Sequence, residues 1–155
     1  MLFRSFGERR LRPQAELLAR RGWSVAGLEE LLQRLPDLLE GHAPEPCLVH
    51  GDLWSGNAMA RLRPAPAAPS LGGGAIFDPA VHRADREVDL AMAHLFGGFP
   101  AAFFEGYGSV WPLPDGHGER RPIYNLYHLL NHAVLFGEPY IGQAARTLEG
   151  ILAAP

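Results

Sequence analysis

Two short apolar runs, each stopping abruptly at a carboxylate, constrain this chain more than any other feature. In CLVHGDLWSGN, residues 47–57, Leu48 and Val49 lead into His50, Gly51 and Asp52, and Asn57 closes the stretch. In IFDPA, residues 76–80, Ile76 and Phe77 lead into Asp78. The first run is too short for a helix and lies between Pro46 and Gly51, so it reads as a strand over 47–49. Residues 57–62 read as a second short strand and 75–77 as the strand that returns. RPAPAAPSLGGG, between them, is Pro- and Ala-rich and then Gly-rich, and reads as an exposed hairpin connection.

The flanks are helical. Leu11, Ala15, Leu18 and Ala19 share one face of a helix expected over about 6–21, with Pro13 marking where the helix proper begins. Ser24 suits the N-cap of a second helix reaching about residue 40, which Pro36 should kink or split. Further helices are expected over about 85–96, 100–110 and 119–136, and a last one up to 152. Phe96, Phe99, Phe103, Phe104 and Tyr107 read most simply as core. The expected fold class is α+β, mostly helical, with a small β-hairpin carrying the polar motifs. The 155 residues suit one domain.

Composition narrows the partners. A formal net charge of −3 gives no reason to expect nucleic acid or an anionic membrane. No apolar run approaches the roughly 20 residues of a membrane span. MLFRSFGERRLRP has no apolar segment of a secretory signal. Cys47 is the only cysteine, so no internal disulfide forms. These features lead to the expectation of a cytoplasmic protein. All 14 basic residues are Arg, so no lysine of this chain holds a phosphate or forms a Schiff base.

Phosphoryl transfer needs positioned Mg²⁺ and a group that orients the attacking hydroxyl. Mg²⁺ takes hard oxygen ligands, commonly one or two protein carboxylates, with phosphates and water completing the shell. The order HxDxxxxN followed by a later Asp is the pattern of kinase catalytic and metal-binding loops, and His50, Asp52, Asn57 and Asp78 match it to the residue. Asp52 is expected to orient or accept the hydroxyl proton, and Asn57 and Asp78 to hold the metal. One Asp after a strand is most often only a turn former or cap; the ordered set is far more specific. Ser55 lacks the G-x-S-x-G elbow of a hydrolase. His128 and His132 are four apart without the Glu of HExxH, which favours a packing role. Gly72–Gly74 precede a strand rather than opening a helix, so a hairpin turn is expected there in place of a phosphate cradle. Asp89, in DREVDLA, leaves two readings open: a buried carboxylate serving the free amides of the 50–57 loop, or an exposed helix position.

HGDLWSGN, IFDPAVHRADREVDLAMAHLFGGFP and NLYHLLNHAVLFGEPYIGQA together resemble the fructosamine kinase (ketosamine-3-kinase) family, within the aminoglycoside-phosphotransferase and choline-kinase-like fold. The resemblance covers nearly all of the chain from Pro46 onward, and RRLRPQ at 9–14 more weakly. It implies phosphorylation of a sugar hydroxyl of a glycated amine, free or protein-bound, with ATP and Mg²⁺. By matching positions it implies Asp52 as base, Asn57 and Asp78 as metal ligands, and Trp54 beside the sugar. His50 and Asp89 would support the catalytic loop. His82 and Arg83 depart from the pattern, which has an aromatic and a small residue there.

A larger departure is at the front. A kinase-like fold clamps ATP under an N-terminal lobe with a phosphate-covering turn and a Lys. Neither precedes residue 46, so the chain reads as a C-terminal lobe whose N-terminal lobe is missing: a truncated piece, incomplete or inactive alone, exposing an apolar face. Two alternatives stand beside the kinase reading. One is a non-catalytic remnant that docks on a partner; the other is a kinase of another small molecule, of the aminoglycoside or choline type.

Overall fold

The computed structural model describes residues 2–63 and 70–154. In chain order the first helices are α1 (Leu2–Phe6), a π-helical turn (Gly7–Leu11), α2 (Arg12–Arg20) and α3 (Leu28–Leu38). Next come β1 (Cys47–Val49), a 3₁₀ turn (Ser55–Asn57), β2 (Ala58–Arg63), β3 (Ser70–Ile76) and β4 (His82–Ala84). Four helices close the order: α4 (Glu87–Leu95), α5 (Ala101–Val110), α6 (His117–Phe136) and α7 (Tyr140–Ala153). The fold is mostly helical with small antiparallel sheets, as expected. It divides into two compact units, one of Met1–Pro46 with Asp115–Pro155, the other of Cys47–Pro114.

The first unit is all helix. Leu11, Leu18, Leu31, Leu35, Leu126, Leu130 and Leu148 form its core, each essentially without solvent exposure. Pro13 does not begin the first helix, contrary to expectation; the helix starts at Leu2 and runs on through it. The π turn explains how. Pro has no N–H to give and its ring crowds the preceding turn. Widening that turn to five-residue spacing, with the Arg12 amide bonded to the Gly7 carbonyl, accommodates both. Gly7 also lets α3 come close, since a Cβ there would lie 3.1 Å from Leu35 Cδ2.

The second helix starts later than Ser24 suggests. Gly27, at φ +86°, is its cap, and a Cβ on Gly27 would meet Leu152 Cδ1 at 2.9 Å. Close packing on the end of α7 therefore outweighs the capping preference of Ser24. Pro36 sits two residues before the end of α3 and does not split it. His128 is buried, and its carbonyl accepts from the His132 ring at 2.8 Å, a packing role for the pair.

The second unit carries the polar motifs. β1 pairs with β4 antiparallel, Cys47 with Ala84 and Val49 with His82. β2 and β3 form a separate hairpin, with Ala58 opposite Ile76. Gly72–Gly74 lie inside β3, not at the turn, because β3 begins at Ser70; residues 64–69 lie outside the described residues. β4 carries no strand signal: HRA has neither alternation nor β-branched residues, and pairing with β1 alone makes it a strand.

α4 is buried nearly all round, from Glu87 and Val88 through Leu90–Ala93. The Asp85 carboxylate accepts the Glu87 amide at 3.0 Å at its start. α5 differs, having no buried residue. The aromatics expected in the core are half-buried or exposed; they stack on one another and on α4, with His94 and Phe104 centroids 3.8 Å apart. The Arg86 guanidinium ties α4 to the end of α5, donating to the carbonyls of Trp111 at 2.8 Å and Pro112 at 2.5 Å while lying over the Trp111 ring.

Candidate active site

β1 ends by delivering His50, Gly51 and Asp52 into a loop whose free amides need acceptors. Asp89, on the first turn of α4, supplies both. One carboxylate oxygen accepts the His50 amide at 2.7 Å and the other the Gly51 amide at 2.7 Å. Such short, charge-assisted bonds are roughly twice as strong as neutral ones. Of the two readings left open for Asp89, the geometry is that of an acceptor for the loop.

The His50 ring works in both directions. Its Nδ1 accepts the Asp52 amide at 3.3 Å, and its Nε2–H donates to the Phe77 carbonyl at 3.0 Å. That pairing requires a neutral ring with its proton on Nε2. The residue is only 8% exposed, so the ring packs between the two motifs as well as bonding them.

Asn57 is the second hub. Its Nδ2 donates to the Asp52 carbonyl at 3.0 Å and to Asp52 Oδ2 at 3.1 Å. Its backbone amide donates to the Trp54 carbonyl at 3.0 Å, and its carbonyl accepts the Phe77 amide at 3.0 Å. Phe77 is thus gripped at both ends of its backbone, by Asn57 and by His50, and Asp78 follows it directly. Asp78 has φ +56°, the left-handed region that Asp and Asn tolerate better than other side chains. Among the described residues nothing bonds to the Asp78 carboxylate, which is exposed. With the Asn57 amide nitrogen committed to Asp52, Asn57 Oδ1, Asp52 Oδ1 and the Asp78 carboxylate are the hard oxygen atoms left to a cation. In ligand type these oxygens suit Mg²⁺.

The residues that sequence reading missed are backbone or glycine. Phe77 contributes only its amide and carbonyl, for which composition holds no signal. Gly51 is needed twice over. It has φ +81°, and a Cβ would sit 2.2 Å from the Ala80 carbonyl oxygen and 2.9 Å from His82 Nδ1. We expect Gly51→Ala to destabilise the protein by more than about 2 kcal/mol, through backbone strain and a clash with a carbonyl that cannot swing aside. A melting temperature equal to wild type would refute this. Cys47, at the start of β1, gives its Sγ to the Ala84 carbonyl at 3.6 Å. Burial and then the charges of Asp85 and Asp89 push its thiol pKa up, away from the thiolate form that reacts.

The fructosamine kinase family model matches residues 3–154. A probable ketoamine kinase of Vibrio parahaemolyticus is 44% identical over 95% of this chain and 48% of its own length. A probable ketoamine kinase of Synechocystis is 45% identical over 95% of this chain and 47% of its own length. A crystal structure assigned as a fructosamine-3-kinase, from Thermobifida fusca, superimposes with a TM-score of 0.80 at 34% identity, over 99% of this chain and 52% of the other. A second, from Haemophilus somnus, gives 0.82 at 28% identity, over 97% and 49%. The chain spans about half the length of the curated relatives it matches.

Proposed function

The chain belongs to the fructosamine kinase family, and we propose that, in its full-length setting, it transfers the γ-phosphoryl group of ATP to a sugar hydroxyl of a glycated amine. One observation carries the reading: Asp52, Asn57 and Asp78 are tied into one unit through Asn57 and the Phe77 backbone. Asp52 accepts the proton of the attacking hydroxyl as its oxygen bonds to the γ-phosphorus and the bond to the bridging oxygen of ADP breaks. Asn57 Nδ2 holds that carboxylate in place. Asn57 Oδ1 and the Asp78 carboxylate would hold Mg²⁺, which, when bound, neutralises charge on the phosphates. Trp54, 40% exposed and two residues from the base, would flank the sugar. A cytoplasmic setting suits an ATP substrate and the unpaired Cys47.

The partner in this reading is a nucleotide-covering lobe of the kind a kinase-like fold uses. Leu48, Met59, Ile76 and Val81 are each more than half exposed, an apolar set around the strands that such a lobe would cover. The remnant reading predicts no turnover even when that lobe is restored.

The test is a substrate panel on the full-length protein, following ADP release. A ketosamine should be turned over with kcat/KM at least about tenfold above an aminoglycoside or choline, a modest difference in transition-state binding. Equal or better use of either competitor would reassign the substrate, and no turnover of any would favour the remnant. The isolated 155-residue chain should be inactive in the same assay.

A further inference from the structure

We propose that Gly56 is a positioning residue for substrate specificity, acting as the seat on which the Trp54 indole lies; this rests on the kinase reading above. Gly56 does not have a positive φ, so its backbone would accept any L-residue. What demands glycine is space. A Cβ at position 56 would lie 2.2 Å from Trp54 Cη2, 2.3 Å from Cζ2 and 2.6 Å from Cζ3. The benzo edge of the indole therefore rests directly on the Gly56 backbone.

The other side of the turn is closed as well. Gly98, at φ +93°, approaches Ser55 so nearly that a Cβ would be 2.2 Å from Ser55 Oγ. Gly56 is thus fitted to the indole, and its neighbour Ser55 to Gly98. The Trp54 backbone has no freedom to compensate. Its amide donates to the Asp52 carbonyl at 3.1 Å, and its carbonyl accepts the Asn57 amide at 3.0 Å. With the backbone locked, the contact at Gly56 sets the height of the ring beside the base. The part of the indole left open is an aromatic wall of the kind against which the C–H face of a sugar ring packs.

The experiment is a double-mutant cycle in the full-length protein: Gly56→Ala, Trp54→Ala and both together. Gly56→Ala should raise the ketosamine KM at least tenfold, with kcat within twofold and the ATP KM unchanged. It should also abolish the near-ultraviolet circular-dichroism band that Trp54→Phe removes. The double variant should be no worse than Trp54→Ala, because the added methyl occupies space the indole has left. An unchanged KM and Trp54 band in Gly56→Ala would overturn the proposal, and so would additive losses in the double variant. If Gly56→Ala does not fold, the double variant must; if it fails too, the glycine serves the turn itself and the proposal falls. A wild-type protein inactive on ketosamines would defeat the kinase reading, while the dichroism arm still decides whether Gly56 seats the indole.

Discussion

On the proposed mechanism, Asp52→Ala should lower kcat for ketosamine phosphorylation about a thousandfold, the middle of the range for a lost general base, and should leave the melting temperature near wild type. The fold should survive because, among the described residues, Asp52 makes one side-chain bond, to Asn57 Nδ2, and is half-buried rather than enclosed. Its backbone bonds to His50, Trp54 and Asn57 remain in the variant. On that mechanism, what is lost is the proton acceptor and the group that orients the hydroxyl. Asp52→Asn sharpens the test: it keeps the shape and presents an amide that cannot take a proton. Both variants should be comparably inactive, measured as ADP release at saturating ATP. Activity within tenfold of wild type in either would remove Asp52 from the role of base.

Asp89→Ala acts by a different route and should cost folding stability first. Its carboxylate satisfies two backbone amides at 2.7 Å each. Deleting an acceptor leaves each donor with a desolvation penalty of about 1–3 kcal/mol. Two such amides then suggest a loss of about 3 kcal/mol, or roughly 10 °C in melting temperature for a chain this size. Activity should fall with it, because those amides belong to His50 and Gly51 and fix the direction in which the chain enters Asp52. Asp89→Asn should be intermediate, since one of its two atoms still accepts while the other meets an amide N–H as a second donor. Chemical denaturation separates the cases. An Asp89→Ala protein unfolding at the wild-type midpoint would show that water serves those amides as well as the carboxylate does.

The order of polar residues was the most legible part of this protein. His50, Asp52, Asn57 and Asp78 stand at spacings that only a few chemistries use, and the fold brings them to one loop system. The helices from α4 onward were legible too, because their apolar periodicity coincides with actual burial in α4, α6 and α7. Three features were not. β4 has no intrinsic strand preference and exists through its partner. The cap at Gly27 answers to a side chain on α7 more than a hundred residues away, a contact no local pattern can reveal. α5 carries an aromatic stripe that reads as core, yet periodicity states only which residues share a face and not whether anything covers that face. In the site, the missed contributors were the Phe77 backbone and the glycines, which act by their carbonyls, amides and lack of bulk.

The left-handed backbone at Asp78 has a consequence for how a chain with this turn could lose the proposed metal ligand. Left-handed residues are readily Gly, Asn or Asp and seldom anything else. A single-base change converts an Asp codon to Asn or to Gly, so the carboxylate at this position can vanish with the turn intact. Asp89 has no such exit, because each of its oxygens holds an amide of the loop. Genes drifting from catalysis toward a purely structural or binding role should therefore change first at position 78, to Asn or Gly, while Asp89 persists for as long as the chain still folds.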